Sequence, residues 1–181
     1  MILDVAKPRS LGTFSPPDQY TEIRQELNND LKNSLVDIKK MAADFKKVFG
    51  RNLGKDGLIE EYKIKDADTI FVAMGSVCGT IKEAIDDLRK KGNPKGGPSG
   101  KVGLLKIISF RPFPDEAIIN SLIKAKKIIV IDKSLSLGTE GILATELKRA
   151  GYGRLKARVD GVVVGLGGRD ITQDSITRLI T

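Results

Sequence analysis

Three apolar runs each end in a turn rich in glycine and hydroxyl residues, and those turns are where ligand chemistry could sit. TIFVAM (residues 69–74) leads into Gly75-Ser76-Val77-Cys78-Gly79-Thr80. KIIVID (127–132) leads into Lys133-Ser134-Leu135-Ser136-Leu137-Gly138-Thr139-Glu140-Gly141, and VVVGL (162–166) leads into Gly167-Gly168-Arg169-Asp170. A helix that starts in such a turn offers free N–H groups and the positive end of its dipole, which suit a phosphate or carboxylate. None of the three matches a dinucleotide fingerprint or a Walker loop, and tight strand-to-helix turns use glycine for geometry alone. Anion binding and plain turn chemistry both stay open for Gly75, Ser76, Gly79, Thr80, Ser134, Gly138, Thr139 and Arg169.

Two charged residues join these candidates. Arg111 lies in Phe110-Arg111-Pro112-Phe113-Pro114, whose prolines fix a turn directly after the run at 102–108. A guanidinium there can pair bidentately with a carboxylate or phosphate. Asp132 ends the following run in the same layer, so the two could equally satisfy each other or a partner domain. Cys78, beside two glycines, reads either as a reactive thiol or as a small buried hydrophobe.

What is missing narrows the chemistry further. The chain of 181 residues has no histidine and one cysteine. Ser-His-Asp triads, HExxH zinc sites, cysteine-ligated iron–sulfur clusters and internal disulfides therefore cannot form within it. No apolar run approaches the ~20 residues that span a bilayer, so a soluble, cytoplasmic protein with no membrane partner is expected.

The net charge of +8 is uneven: residues 1–50 carry 8 basic and 7 acidic side chains, leaving 23 and 16 for the remainder. Seven basic residues and no acidic one lie between Arg89 and Arg111. That stretch could meet an acidic protein or a phosphate, or be a solvated helix end. It has one aromatic, Phe110, and no nucleic-acid reader motif, so no nucleic-acid partner is expected.

The elements that must position these residues fall into two parts. Residues 1–14 read as an arm. Ser15-Pro16-Pro17-Asp18 then reads as a helix start with Ser15 as the cap. Tyr20, Ile23, Leu27, Leu31, Leu35, Ile38, Met41, Phe45 and Val48 follow at steps of three and four, one stripe on one long helix ending at Gly50. Such a helix exceeds the usual globular length, so part of its stripe is expected to pack outside the chain's own core. From Gly57 onward short strands alternate with helices: strands at 58–64, 69–74, 102–108, 127–131 and 158–166, helices at about 80–91, 114–125 and 141–150, and an exposed loop at 93–100. This pattern predicts an α/β fold with a mostly parallel sheet covered on both faces. The expected division is 1–56, arm and linker helix, and 57–181, sheet domain.

VAMGSVCGTIKEAID, GLLKIISFRPFP, IIVIDKSLSLGTEG and VVVGLGGRDIT, in that order, resemble the C-terminal part of the alpha subunit of pyruvate:ferredoxin oxidoreductases. The resemblance extends to PRSLGTFSPPDQYTEIR, which is similar to that subunit's linker and long helix. It implies a transketolase C-terminal-like domain: three layers α/β/α around a five-stranded sheet of order 1-3-2-4-5 with an antiparallel first strand. The exits at 75–80 and 133–141 would then line one crevice at the switch point.

The resemblance also implies what this chain would lack. Family alpha subunits carry an N-terminal domain that receives the pyrimidine of thiamine diphosphate, and Mg and the iron–sulfur clusters are held elsewhere in the enzyme. The whole enzyme oxidises pyruvate with coenzyme A to acetyl-CoA and carbon dioxide, passing electrons to ferredoxin. This chain would be a non-catalytic structural part with no metal ligand and no cofactor of its own, joined to the other domains or subunits in an oligomer. A free-standing nucleotide or coenzyme A binding module, using the Arg89–Arg111 stretch, is the alternative.

Overall fold

The computed structural model describes residues 4–9, 12, 14–91 and 100–180. The loop expected at 93–100 lies almost wholly outside the described residues. Among these, no helix is long and apolar enough to cross a membrane.

Helix α1 runs Pro17–Phe49 and stops at Gly50, whose left-handed φ of 66° lets its N–H bond Lys46 O at 2.8 Å. It starts later than Ser15 implies. Pro17 pushes the residue before it out of helical geometry, so Pro16 is extended at φ −68°, ψ 159° and forms the boundary, with no side-chain cap. The two prolines also remove N–H groups that a cap would otherwise serve.

Strands β1 (Ile59–Tyr62), β2 (Thr69–Met74), β3 (Val102–Ile107), β4 (Lys127–Asp132) and β5 (Arg158–Val163) form one sheet of order β1-β3-β2-β4-β5. β1 is antiparallel to β3 and every other pairing is parallel. Between the strands lie α2 (Val77–Lys91), α3 (Asp115–Leu122) and α4 (Ile142–Gly151), and α5 (Gln173–Thr177) follows β5. Helix α2 starts three residues before the expected Thr80, because Gly75, at φ 75°, completes the turn alone.

The period of two in β2 divides the core. Ile70 and Val72 join Leu105, Ile118, Leu122, Ile128, Leu143 and Leu147 under α3 and α4. Phe71 and Ala73 point the other way, joining Ile81, Ile85, Leu104, Ile129 and Ile176 under α2 and α5. Each fully buried Val, Leu, Ile or Phe of these two layers contributes roughly 1.5–3 kcal/mol. The result is the three-layer α/β/α arrangement.

Helix α1 joins the α3/α4 layer sparingly. Leu35 and Ile38 pack against that core and Ala42 is buried, whereas Tyr20, Ile23, Leu27, Leu31, Met41 and Val48 stay exposed. At the junction Gly57, at φ 70°, comes so close that a Cβ there would meet Ala42 Cβ at 3.0 Å.

Candidate functional site

The strand order sets β2 and β4 side by side, with Val72 opposite Val130, so their carboxyl-end turns leave the sheet as neighbours. Gly75, Ser76 and Gly79 are exposed there and Thr80 is half-buried at the start of α2. On the β4 side Ser134 is half-buried, while Gly138, at φ 83°, and Thr139 belong to an exposed turn. That turn closes on itself: the Thr139 N–H and Oγ1 donate to Ser136 O at 3.0 and 3.2 Å. Arg169 sits beyond β5, exposed, with its N–H on Leu166 O.

Asp132 is a structural residue of this crevice. Its carboxylate is 5% exposed and accepts the N–H of Leu143 through Oδ1 and of Ala144 through Oδ2, both at 3.0 Å. Those donors belong to the first turn of α4, so the chain's own carboxylate fills the anion position of that helix. Gly141 is required by the same contact, since a Cβ there would fall 2.1 Å from Asp132 Oδ2. Around the strand exits five large apolar side chains, Met74, Ile108, Leu135, Leu137 and Leu166, are exposed among polar ones such as Ser76, Lys133, Ser136 and Arg169.

Arg111 and Asp132 are not partners. The Arg111 guanidinium stacks 4.2 Å from the Phe110 ring and pairs with Glu146 on α4. Glu146 also receives Arg149 Nε at 2.9 Å, and Arg149 holds Asp115 through two further bonds at 2.7 and 3.0 Å. With carboxylates on both sides, the Arg149 guanidinium titrates above its usual range, Asp115 being the larger cause.

Three of the seven residues of the basic stretch, Arg89, Lys106 and Arg111, pair with carboxylates within the fold. Arg89 binds Asp66 through two bonds at 2.9 and 3.0 Å and also the carbonyls of Val102 and Lys63, which holds the Asp66 carboxyl below its ordinary value. Lys82 and Lys106 converge on Glu60, with the Lys82 hydrogen bond the main reason its carboxyl titrates low. Asp86 is lowered in the same way by Lys63 and then by the Tyr62 hydroxyl at 2.8 Å.

The donor set does not fit the cofactors the resemblance implies for the whole enzyme. A metal-bound diphosphate needs converging oxygen donors, and no three His, Cys, Asp or Glu side chains converge among the described residues. An iron–sulfur cluster needs thiolates. Cys78 is a single buried thiol, and burial pushes its pKa up to about 11, so of its two readings the buried hydrophobe fits.

One concavity that sequence reasoning missed lies between α1 and the residues after β3. It holds about 620 Å³ and is lined by Leu31, Leu35, Leu58, Phe113 and the Arg111–Glu146–Arg149 network, with Lys32 and Lys39 on its rim. The seven-residue spacing of the two lysines was its one legible signal.

Residues 67–176 match the family model described as pyruvate:ferredoxin oxidoreductase core domain II. The chain is 42% identical over 180 residues to the pyruvate synthase subunit PorA of Methanothermobacter thermautotrophicus, which covers 99% of this chain and 44% of that one. It is 39% identical over 172 residues to the ketoisovalerate oxidoreductase subunit VorA of Pyrococcus horikoshii, covering 94% of this chain and 41% of that one. The chain thus spans less than half the length of these curated relatives. The same fold occurs in a 2-oxoglutarate:ferredoxin oxidoreductase from Magnetococcus marinus, solved with 2-oxoglutarate, coenzyme A and succinyl-CoA bound, at TM-score 0.55 and 20% identity over 93% of this chain and 23% of that one.

Proposed function

We propose, from the premise that this chain belongs to the pyruvate:ferredoxin oxidoreductase core domain II family, that it is the structural and assembly part of a 2-oxoacid:ferredoxin oxidoreductase acting on pyruvate. The complete enzyme would convert pyruvate and coenzyme A to acetyl-CoA and carbon dioxide with electrons passed to ferredoxin. Thiamine diphosphate, Mg and the iron–sulfur clusters would be held by its other domains or subunits. Pyruvate is proposed because the relatives at 40–42% identity are pyruvate synthase subunits, and ketoisovalerate subunits, at 38–39%, fall within the 35–42% that pyruvate synthase subunits span.

The observation that carries this reading is the exposed stripe of α1, a 33-residue helix whose Leu35 and Ile38 pack on its own domain's core and whose Ala42 is buried. A ligand-binding module has no use for such a face, whereas an assembling part buries it. The large apolar side chains exposed at the strand exits point the same way, and on the β4 side Asp132 already fills the anion position of α4.

The test has two arms. The purified chain should show no pyruvate-dependent viologen reduction and no micromolar coenzyme A binding by calorimetry. A hybrid of the Methanothermobacter enzyme, with this chain replacing the matching segment of its PorA subunit, should assemble and reduce viologen. Activity of the isolated chain, or an assembled hybrid without activity, would overturn the reading.

A further inference from the structure

We propose that the groove between α1 and residues 110–117 is the seat of a polypeptide segment that presents apolar side chains flanked by two carboxylates, one for each of Lys32 and Lys39. The charge balance of the groove carries the argument. On its far wall Arg111 and Arg149 are matched by Glu146 and Asp115, and Glu116 is held by Arg154 through two bonds at 2.8 Å. Lys32 and Lys39 line the near wall, are exposed, and make no ion pair among the described residues. The groove therefore has two unmatched positive charges, seven residues and ~10 Å apart along one side of α1.

Its floor is apolar, built from Leu31, Leu35, Leu58, Pro112, Phe113 and Ala117. Leu31 belongs both to this floor and to the exposed stripe, which continues through Leu27, Ile23 and Tyr20. The eleven residue steps from Leu31 back to Tyr20 add ~16 Å of helix carrying that stripe to the groove itself. A surface that long fits an amphipathic segment laid along α1 better than a compact small molecule. That the segment belongs to the remaining polypeptide of the oxidoreductase rests on the proposed function; the chemistry of the groove does not.

The probe is a synthetic helical peptide of about two dozen residues, with leucines at three- and four-residue steps and two glutamates seven apart. Its counterpart carries lysines in place of the glutamates. Fluorescence anisotropy with the full chain should show the acidic peptide binding about tenfold tighter than the basic one, with the difference shrinking at high salt. The double substitution Lys32→Glu, Lys39→Glu should weaken the acidic peptide about tenfold and reverse the preference. Asp37→Lys, on the other side of α1, should leave it unchanged, and circular dichroism confirms that both variants fold. Equal affinity for the two peptides, an inert double substitution, or tighter binding of dodecanoate than of the acidic peptide would overturn the proposal. Loss of hybrid activity with peptide binding intact would instead count against the oxidoreductase reading.

Discussion

Replacing Asp132 with alanine removes both acceptors at the start of α4 and leaves the Leu143 and Ala144 N–H groups buried without partners, since those residues are 1% and 0% exposed. A hydrogen bond to a charged group contributes about 1.5–3 kcal/mol and a lost helix cap costs about 0.5–2 kcal/mol. Because the two bonds share one carboxylate, their loss is less than additive, and about 3 kcal/mol is expected. Asp132→Asn keeps one acceptor but turns an amide donor toward the second N–H and gives up the charge, so about half that loss is expected. In a chain of this size each kcal/mol lowers Tm by about 2–4 °C, which places Asp132→Ala about 6–12 °C below the wild type. Urea denaturation followed by circular dichroism, with hydrogen exchange at Leu143 and Ala144, measures the order wild type, Asn, Ala. An alanine variant within 1 kcal/mol of wild type, with both amides still protected, would refute the capping role.

Hydrogen exchange should also show residues 20–31 opening well before β2, because that part of α1 lacks tertiary cover; equal protection in a proven monomer would contradict this. Native Cys78 should resist iodoacetamide at pH 8 and react on unfolding, as a thiol whose pKa stands at about 11 has little thiolate there. Since the folded state holds that proton more tightly than the unfolded one, the protonated thiol favours folding below pH ~9, and the contribution is lost as pH rises toward 11. Cys78→Ala should flatten that part of the stability curve. Asp66, Asp86 and Glu60 are shifted the opposite way, so their stabilisation holds above the ordinary carboxyl range and is lost as pH falls through it. Acid titration of Arg89→Ala, which frees Asp66, should show a shallower loss.

The parts of the fold written in local pattern were legible. β2 and β4 are uninterrupted apolar runs, and a strand buried on both faces has no other composition. β1 was readable as an edge strand because it is more polar than the rest, while its antiparallel direction was implied only by the family resemblance. The start of α1 was misread because a serine before two prolines looks like a cap, while the rule that the first proline cannot stay helical decides the boundary. The fate of the charged residues was not legible. Arg111 and Glu146 are 35 positions apart, and Arg89 reaches back 23 to Asp66. Arg89, Lys106 and Arg111 look unpaired until the fold brings carboxylates to them. Asp132 was legible as a candidate for a ligand or a partner, whereas its capping of α4 depended on where α4 would begin.

Helix α1 has a mechanical consequence. Its anchor spans Leu35 to Ala42, about 10 Å, while Pro17 lies 18 residues before Leu35, about 27 Å away. It is a long lever on a short pivot: a tilt of about 5° at the pivot sweeps the far end through roughly 2 Å, an error large enough to misalign whatever that end must register against. The pivot's pitch is set by two of the smallest residues in the protein, Ala42 resting against Gly57. A methyl group added at Gly57 would meet Ala42 Cβ at 3.0 Å and strain a backbone held at φ 70°, pressing on the pivot while leaving unchanged the surface that the far end presents.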